Sequence, residues 1–159
     1  MFLGTAALSA PASAATSITN GGFETGNLTG WTSTGVTSVT TTNPHSGTYA
    51  AMVGSTSPSN TSSIAQSFTA PATSPSLSFW YDVVCPDTVT YDWATATLRD
   101  NSTAMSTTVL PMTCVSNSGW RQVTSAVTAG HSYTLTLTSH DDDYFADPTY
   151  TLYDDVTIH

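Results

Sequence analysis

Proline and glycine interrupt every stretch of this chain long enough for a helix, and no window carries an apolar period of three to four residues. Short β-rich segments recur instead. They run from Thr34 to Thr41, Tyr49 to Val53, Ser62 to Thr69, Ser76 to Cys85, Tyr91 to Arg99, Ser106 to Thr113, Trp120 to Val127, Tyr133 to Ser139 and Thr151 to Ile158, with turn clusters between them. A glycine-bracketed first strand is expected around Asn20 to Glu24. Many short strands at this spacing mean an all-β sandwich or jelly roll. The 159 residues suffice for one sizeable core, and no internal repeat divides them.

Phe2 to Leu8 followed by Ala12-Ser13-Ala14 has the short apolar run and small-residue cleavage site of a secretory signal, although the basic start of such signals is missing. The expectation is a signal remnant over 1–14, whether complete or truncated, and one module over 15–159. The apolar run is too short to span a membrane, so no membrane insertion is expected. There is no lysine, and two arginines face eleven acids for a formal charge of -9, which makes nucleic acid an unsuitable partner. Hydroxylated, low-charge strand faces fit a secreted, extracellular protein. In that setting the only two cysteines, Cys85 and Cys114, read as one disulfide. A monomer is expected.

Alternation assigns faces. Leu77, Phe79, Tyr81 and Val83 share one side of their strand and look like core, which leaves Ser78, Trp80 and Asp82 on the other. Tyr133, Leu135 and Leu137 point inward, so the threonines between them and, if the strand continues, His140 point outward. Placing Ala94, Ala96 and Leu98 inside turns Tyr91 and Trp93 outward; the converse, with Trp93 as a core anchor, stays open.

Four motifs stand in order along the chain: Asn20-Gly21-Gly22-Phe23-Glu24 with Gly30-Trp31, His45-Ser46-Gly47-Thr48-Tyr49-Ala50, Leu77-Ser78-Phe79-Trp80-Tyr81, and Tyr153-Asp154-Asp155-Val156. In this order and spacing they resemble the jelly-roll carbohydrate-binding modules of secreted bacterial glycoside hydrolases, over most of the chain. The resemblance implies a β-sandwich jelly roll of two antiparallel sheets and a structural calcium. Its ligands would be the Gly22 carbonyl, Glu24, oxygens near Asn43 and Ser46, and Asp154. Glu24, the only glutamate, has the alternative of capping neighbouring backbone, and the Asp154-Asp155 pair that of a solvated edge. Alternation lets only one of that pair face inward. The resemblance also implies a polysaccharide partner bound at Trp80, with Asp82, His140, and Tyr91 or Trp93 completing the platform. An aromatic face stacks on the C–H face of a sugar while polar groups bond its hydroxyls. The alternative for Trp80 is a second hydrophobic layer under a loop. Trp31 and Trp120 look structural, and His45 and His131 receive no role.

His140-Asp141-Asp142-Asp143-Tyr144-Phe145-Ala146-Asp147-Pro148 is the densest cluster of functional groups. A solvated acidic hairpin, a second metal site and a glycan contact are all open for it. It lacks the spacing of an EF-hand loop. No nucleophile elbow, zinc motif or phosphate loop occurs, so a catalytic set is not expected. The sequence therefore points to a non-catalytic, calcium-stabilised extracellular carbohydrate-binding module. The alternatives are a structural or adhesion module of a secreted protein and, behind it, a small hydrolase.

Overall fold

The computed structural model describes residues 17–73 and 75–159, so the expected signal segment lies outside the described residues. Among the described residues ten strands form two antiparallel five-stranded sheets packed face to face, a β-sandwich jelly roll. One sheet has the order β1-β4-β9-β6-β7: β1 (Thr32–Thr34), β4 (Asn60–Thr69), β9 (Ser132–Asp141), β6 (Trp93–Asp100) and β7 (Met105–Thr113). The other has the order β2-β3-β10-β5-β8: β2 (Thr37–Thr40), β3 (Ala50–Gly54), β10 (Tyr150–Ile158), β5 (Ser76–Val84) and β8 (Arg121–Ala126).

The period of two does most of the sorting. Along β9, Tyr133, Leu135 and Leu137 are buried and the intervening threonines are not. Leu77, Phe79 and Val83 are buried on β5, as are Ala94, Ala96 and Leu98 on β6, so Trp93 takes the outer face. Tyr153 is wholly buried between the sheets, and its hydroxyl donates to the Thr138 and Thr95 carbonyls across the sandwich. Trp31 packs on Phe23 in this core with ring centroids 5.5 Å apart, a structural role.

Two expected strands take another form. Asn20 to Glu24 is a series of turns, because Asn20 (φ 52°) and Phe23 (φ 57°) are left-handed and the Phe23 carbonyl accepts the Gly26 N–H. The buried Gln66 amide pins this segment by bonding both the N–H and the carbonyl of Thr19. Thr34 to Thr41 is split between the sheets. At Gly35 (φ 73°) the chain crosses from β1 to β2, and a Cβ there would lie 2.5 Å from the Thr61 carbonyl oxygen.

The Cys85–Cys114 disulfide joins the ends of β5 and β7, which belong to different sheets. It sits in a small satellite core with Val83 and Ala94. Among the described residues there is no helix, hence none long and apolar enough to cross a membrane.

Candidate functional site

The loop between β2 and β3, residues 41–49, folds over the outer face of the β2-β3-β10-β5-β8 sheet and is held there by carboxylates. Glu24 Oε1 accepts the N–H groups of Thr48 and Tyr49 at 2.9 and 3.0 Å. Asp154 Oδ2 accepts those of His45 and Ser46 at 2.9 and 3.2 Å, and Asp154 Oδ1 accepts the Asp155 N–H at 2.7 Å. Asp155 reaches the same loop, with Oδ1 2.7 Å from Ser46 Oγ and Oδ2 2.6 Å from His45 Nδ1. Strict alternation would have sent the two aspartates to opposite faces. Asp155 instead has φ 47°, and the β10–β5 register shifts between Asp154 and Thr157, so both carboxylates serve one loop.

The side chains of all three acids border Gly22. A Cβ there would lie 3.6 Å from Asp155 Oδ1, 3.8 Å from Glu24 Cγ and 4.0 Å from Asp154 Oδ1. Asp154 is fully buried, and its pKa is pushed up to about 6; burial raises it most, and the neighbouring Asp155 charge adds to the rise. The Asn43 side chain points elsewhere, its amide donating to Asp82 Oδ2 at 2.9 Å.

The five expected glycan-contact residues do not meet. Trp80 and Asp82 lie on β5, whereas Trp93 (β6) and His140 (β9) pair in the opposite sheet, and Tyr91 is in the turn before β6. His140 has the expected outward parity, but the strand order puts β9 between β4 and β6 and away from Trp80. There it stacks on Trp93 at 4.8 Å and bonds the Thr61 hydroxyl. Trp80 is partly covered, because the His45 ring stacks on it at 3.9 Å and 17° and meets Trp120 edge-on at 5.5 Å. His45 therefore has a role that its sequence context did not signal.

Beside Trp80 the sheet carries a groove of about 300 Å³. Its floor is Met52, Leu152, Val84 and Tyr150, residues that share one face through the pairs Leu152↔Met52, Leu152↔Asp82 and Tyr150↔Val84. Asp82 stands in it only 2% exposed, accepting from Asn43 on one side and from the Ser118 hydroxyl at 3.2 Å on the other. Asn43 and Asn117 form polar walls. Tyr150, Met52 and Asn117 were missed in the sequence; outward parity with Leu152 was the one signal for Tyr150. A larger recess of about 540 Å³, by Thr19, Gly30 and Gln66, has no aromatic or charged lining residue.

The acidic loop closes one end of the sandwich in two layers. Asp92 and Asp141 are buried and satisfied: Asp92 accepts the Asp142 N–H (2.7 Å) and the Thr149 hydroxyl (2.7 Å), while Asp141 accepts the N–H groups of Ser59 and Thr149. Asp87, Asp142 and Asp147 lie outside them. Burial and then the charges of Asp87, Asp92 and Asp142 raise the pKa of Asp147; burial above all raises that of Asp141.

The fold is the β-sandwich jelly roll, and solved structures of carbohydrate-binding modules share it. A solved family 61 module, in complex with β-1,4-galactotriose, superposes with TM-score 0.64 at 18% identity over 88% of this chain and 94% of its own. The family 22 xylan-binding domain of Paenibacillus barcinonensis Xyn10C gives 0.55 at 20% identity, over 93% of this chain and 96% of that one. The K1 cleaved adhesin domain of Lys-gingipain from Porphyromonas gingivalis W83 gives 0.57 at 14% identity, over 87% and 95%. No protein-family model and no curated protein matches the sequence.

Proposed function

We propose that this chain is a non-catalytic extracellular module that binds a polysaccharide in the groove of the β2-β3-β10-β5-β8 sheet and is stabilised by calcium. The groove carries this reading: an apolar floor with an aromatic residue, Tyr150, is bordered by the side-chain amides of Asn43 and Asn117, which can bond sugar hydroxyls, with the buried Asp82 carboxylate holding Asn43 in place. Solved structures of the same fold include modules whose partners are a galactotriose and xylan, which is the support for a glycan class of ligand. Trp80 acts beneath this surface. With His45 and Trp120 it forms a layer that seats the 41–49 loop, and that loop supplies Asn43 to the groove.

Calcium suits the carboxylates around Gly22. Glu24, Asp154 and Asp155 carry hard oxygen donors beside Gly22, with the Ser46 hydroxyl and the His45 ring bonded to Asp155. When bound, the ion supplies charge compensation for the buried Asp154 and a staple between residues 22–24, the 43–49 loop and β10. Asn43 belongs to the groove in this reading and not to the ion.

The test is retention of the folded chain on immobilised galactan, xylan, cellulose, chitin and β-glucan, with calcium and with EDTA. Retention on at least one polymer, lost in Tyr150→Ala while the circular dichroism spectrum is kept, is the expected result. A folded protein that passes unretained through all of them refutes glycan binding. It then favours the adhesion-module reading, for which the likeness to the gingipain adhesin domain and the covered Trp80 are the motivating observations.

A further inference from the structure

The outer layer of the acidic loop carries negative charge that the protein leaves uncompensated. One carboxylate oxygen from each of Asp87, Asp142 and Asp147 lies within 4.8 Å of the other two, and Asp142 stands equally close to the buried Asp92 and Asp141. Among the described residues the ion pairs are His45–Asp155 and His131–Asp100, so neither arginine and no histidine answers these five acids. A second observation is independent of the clustering. Asp147 Oδ1 is a fully buried atom without a hydrogen-bond partner. Buried carboxylate oxygens are ordinarily hydrogen-bonded, ion-paired or coordinated to a metal, because desolvating one without an answering group is costly. Hydrogen-bond donors, the usual answer, are supplied to the inner layer: Asp92 and Asp141 each receive two neutral ones. In the outer layer Asp142 receives one, from the Tyr144 N–H at 2.8 Å.

We propose that Asp87, Asp142 and Asp147 form a binding site for a hard divalent cation, calcium in the first instance, separate from the carboxylates around Gly22. All the donors are oxygens, with no histidine or cysteine to select a softer metal. They come from two irregular segments, before β6 and between β9 and β10, and calcium tolerates the uneven geometry that results better than magnesium does. The inner aspartates act as positioning residues. By gripping Ser59, Asp142 and Thr149 they fix the backbone on which Asp142 and Asp147 are mounted. The site opens into a cavity of about 410 Å³ flanked by Tyr91 and Tyr144, which are 57% and 56% exposed, so a bound ion keeps outward positions for water.

The flanking tyrosines supply the readout. Terbium, which replaces calcium at oxygen sites, is titrated into the full metal-free chain with excitation of tyrosine, then displaced with calcium chloride. Sensitised emission that calcium displaces is expected. It should weaken by about tenfold or more in affinity in Asp87→Asn/Asp147→Asn, which removes two of three carboxylates and relieves repulsion between them. Glu24→Gln, aimed at the carboxylates around Gly22, should leave this emission in place. Tyr144→Leu should dim the emission without moving the calcium midpoint. No sensitised emission in the parent chain, unchanged titration in the double variant, or emission lost in Glu24→Gln but kept in the double variant would each overturn the proposal. None of these arms depends on whether the groove binds a glycan.

Discussion

Asp154 makes the stability of the metal-free protein depend on pH in the direction opposite to most carboxylates. Its pKa is about 6 in the folded chain against an ordinary value of 3.8. Burial raises it most, the N–H donors of Ser46, Asp155 and His45 hold it back, and the Asp155 charge raises it further. A carboxyl whose folded-state pKa lies above its unfolded value stabilises the fold while protonated; that contribution is complete below about pH 4 and is lost as pH rises through 6. The interval corresponds to about 3 kcal/mol, of which about 2 kcal/mol returns on going from about pH 7.5 to 4.5. For a chain of this size that is roughly 4 to 8 °C in melting temperature. The assay is thermal unfolding across this range in EDTA, for the parent and for Asp154→Asn. Asp141 and Asp147 also have raised pKa values, so the parent-minus-variant difference is the quantity to read. The Asp154→Asn variant loses acceptors for the loop N–H groups at every pH, which offsets the two curves; the parent should gain on the variant as pH falls. Saturating calcium should abolish that gain, because the ion replaces the proton as the compensating charge. A difference that stays flat with pH in EDTA would refute the reasoning that burial holds Asp154 partly protonated.

Replacing Cys85 and Cys114 by alanine should lower stability by about 3 to 4 kcal/mol on the chain-entropy estimate, measured by urea unfolding; a loss below about 1 kcal/mol would mean the unfolded chain is already constrained at this loop. Gly47→Ala should cost about 1 to 3 kcal/mol and weaken any calcium stabilisation, read as the difference in melting with and without chelator. Gly47 has φ 60°, and a Cβ would meet Glu24 Oε1 at 2.4 Å, so the added carbon displaces the carboxylate that holds the loop. An unchanged melting temperature would show that the loop can shift away.

Alternation alone located the buried faces of β5 and β9, because the side-chain period is a local property and each strand has one face in the core; for β6 it left two choices, and the structure put Ala94, Ala96 and Leu98 inside. The turn residues likewise announced an all-β chain. What they left open was set by pairing. His140 and Trp80 both had outward parity, yet β9 and β5 went to opposite sheets, so two residues of matching chemistry face opposite ways.

The carboxylates around Gly22 were half legible. Glu24 and Asp154 stood in their motifs, while Asp155 joined them through a left-handed residue and a bulge that periodicity does not foresee. The groove was less legible still, since Tyr150, Met52 and Val84 come from three strands and acquire a common face only through their register. The sequence by itself determined the class of fold and the core-facing sides of β5 and β9, through period-two hydrophobicity and glycine at forced turns. The tertiary structure alone decided which outward residues meet, because strand order and loop closure depend on contacts between distant segments, and the burial of Asp154, Asp82 and Trp80 exists only once the loop lies over the sheet.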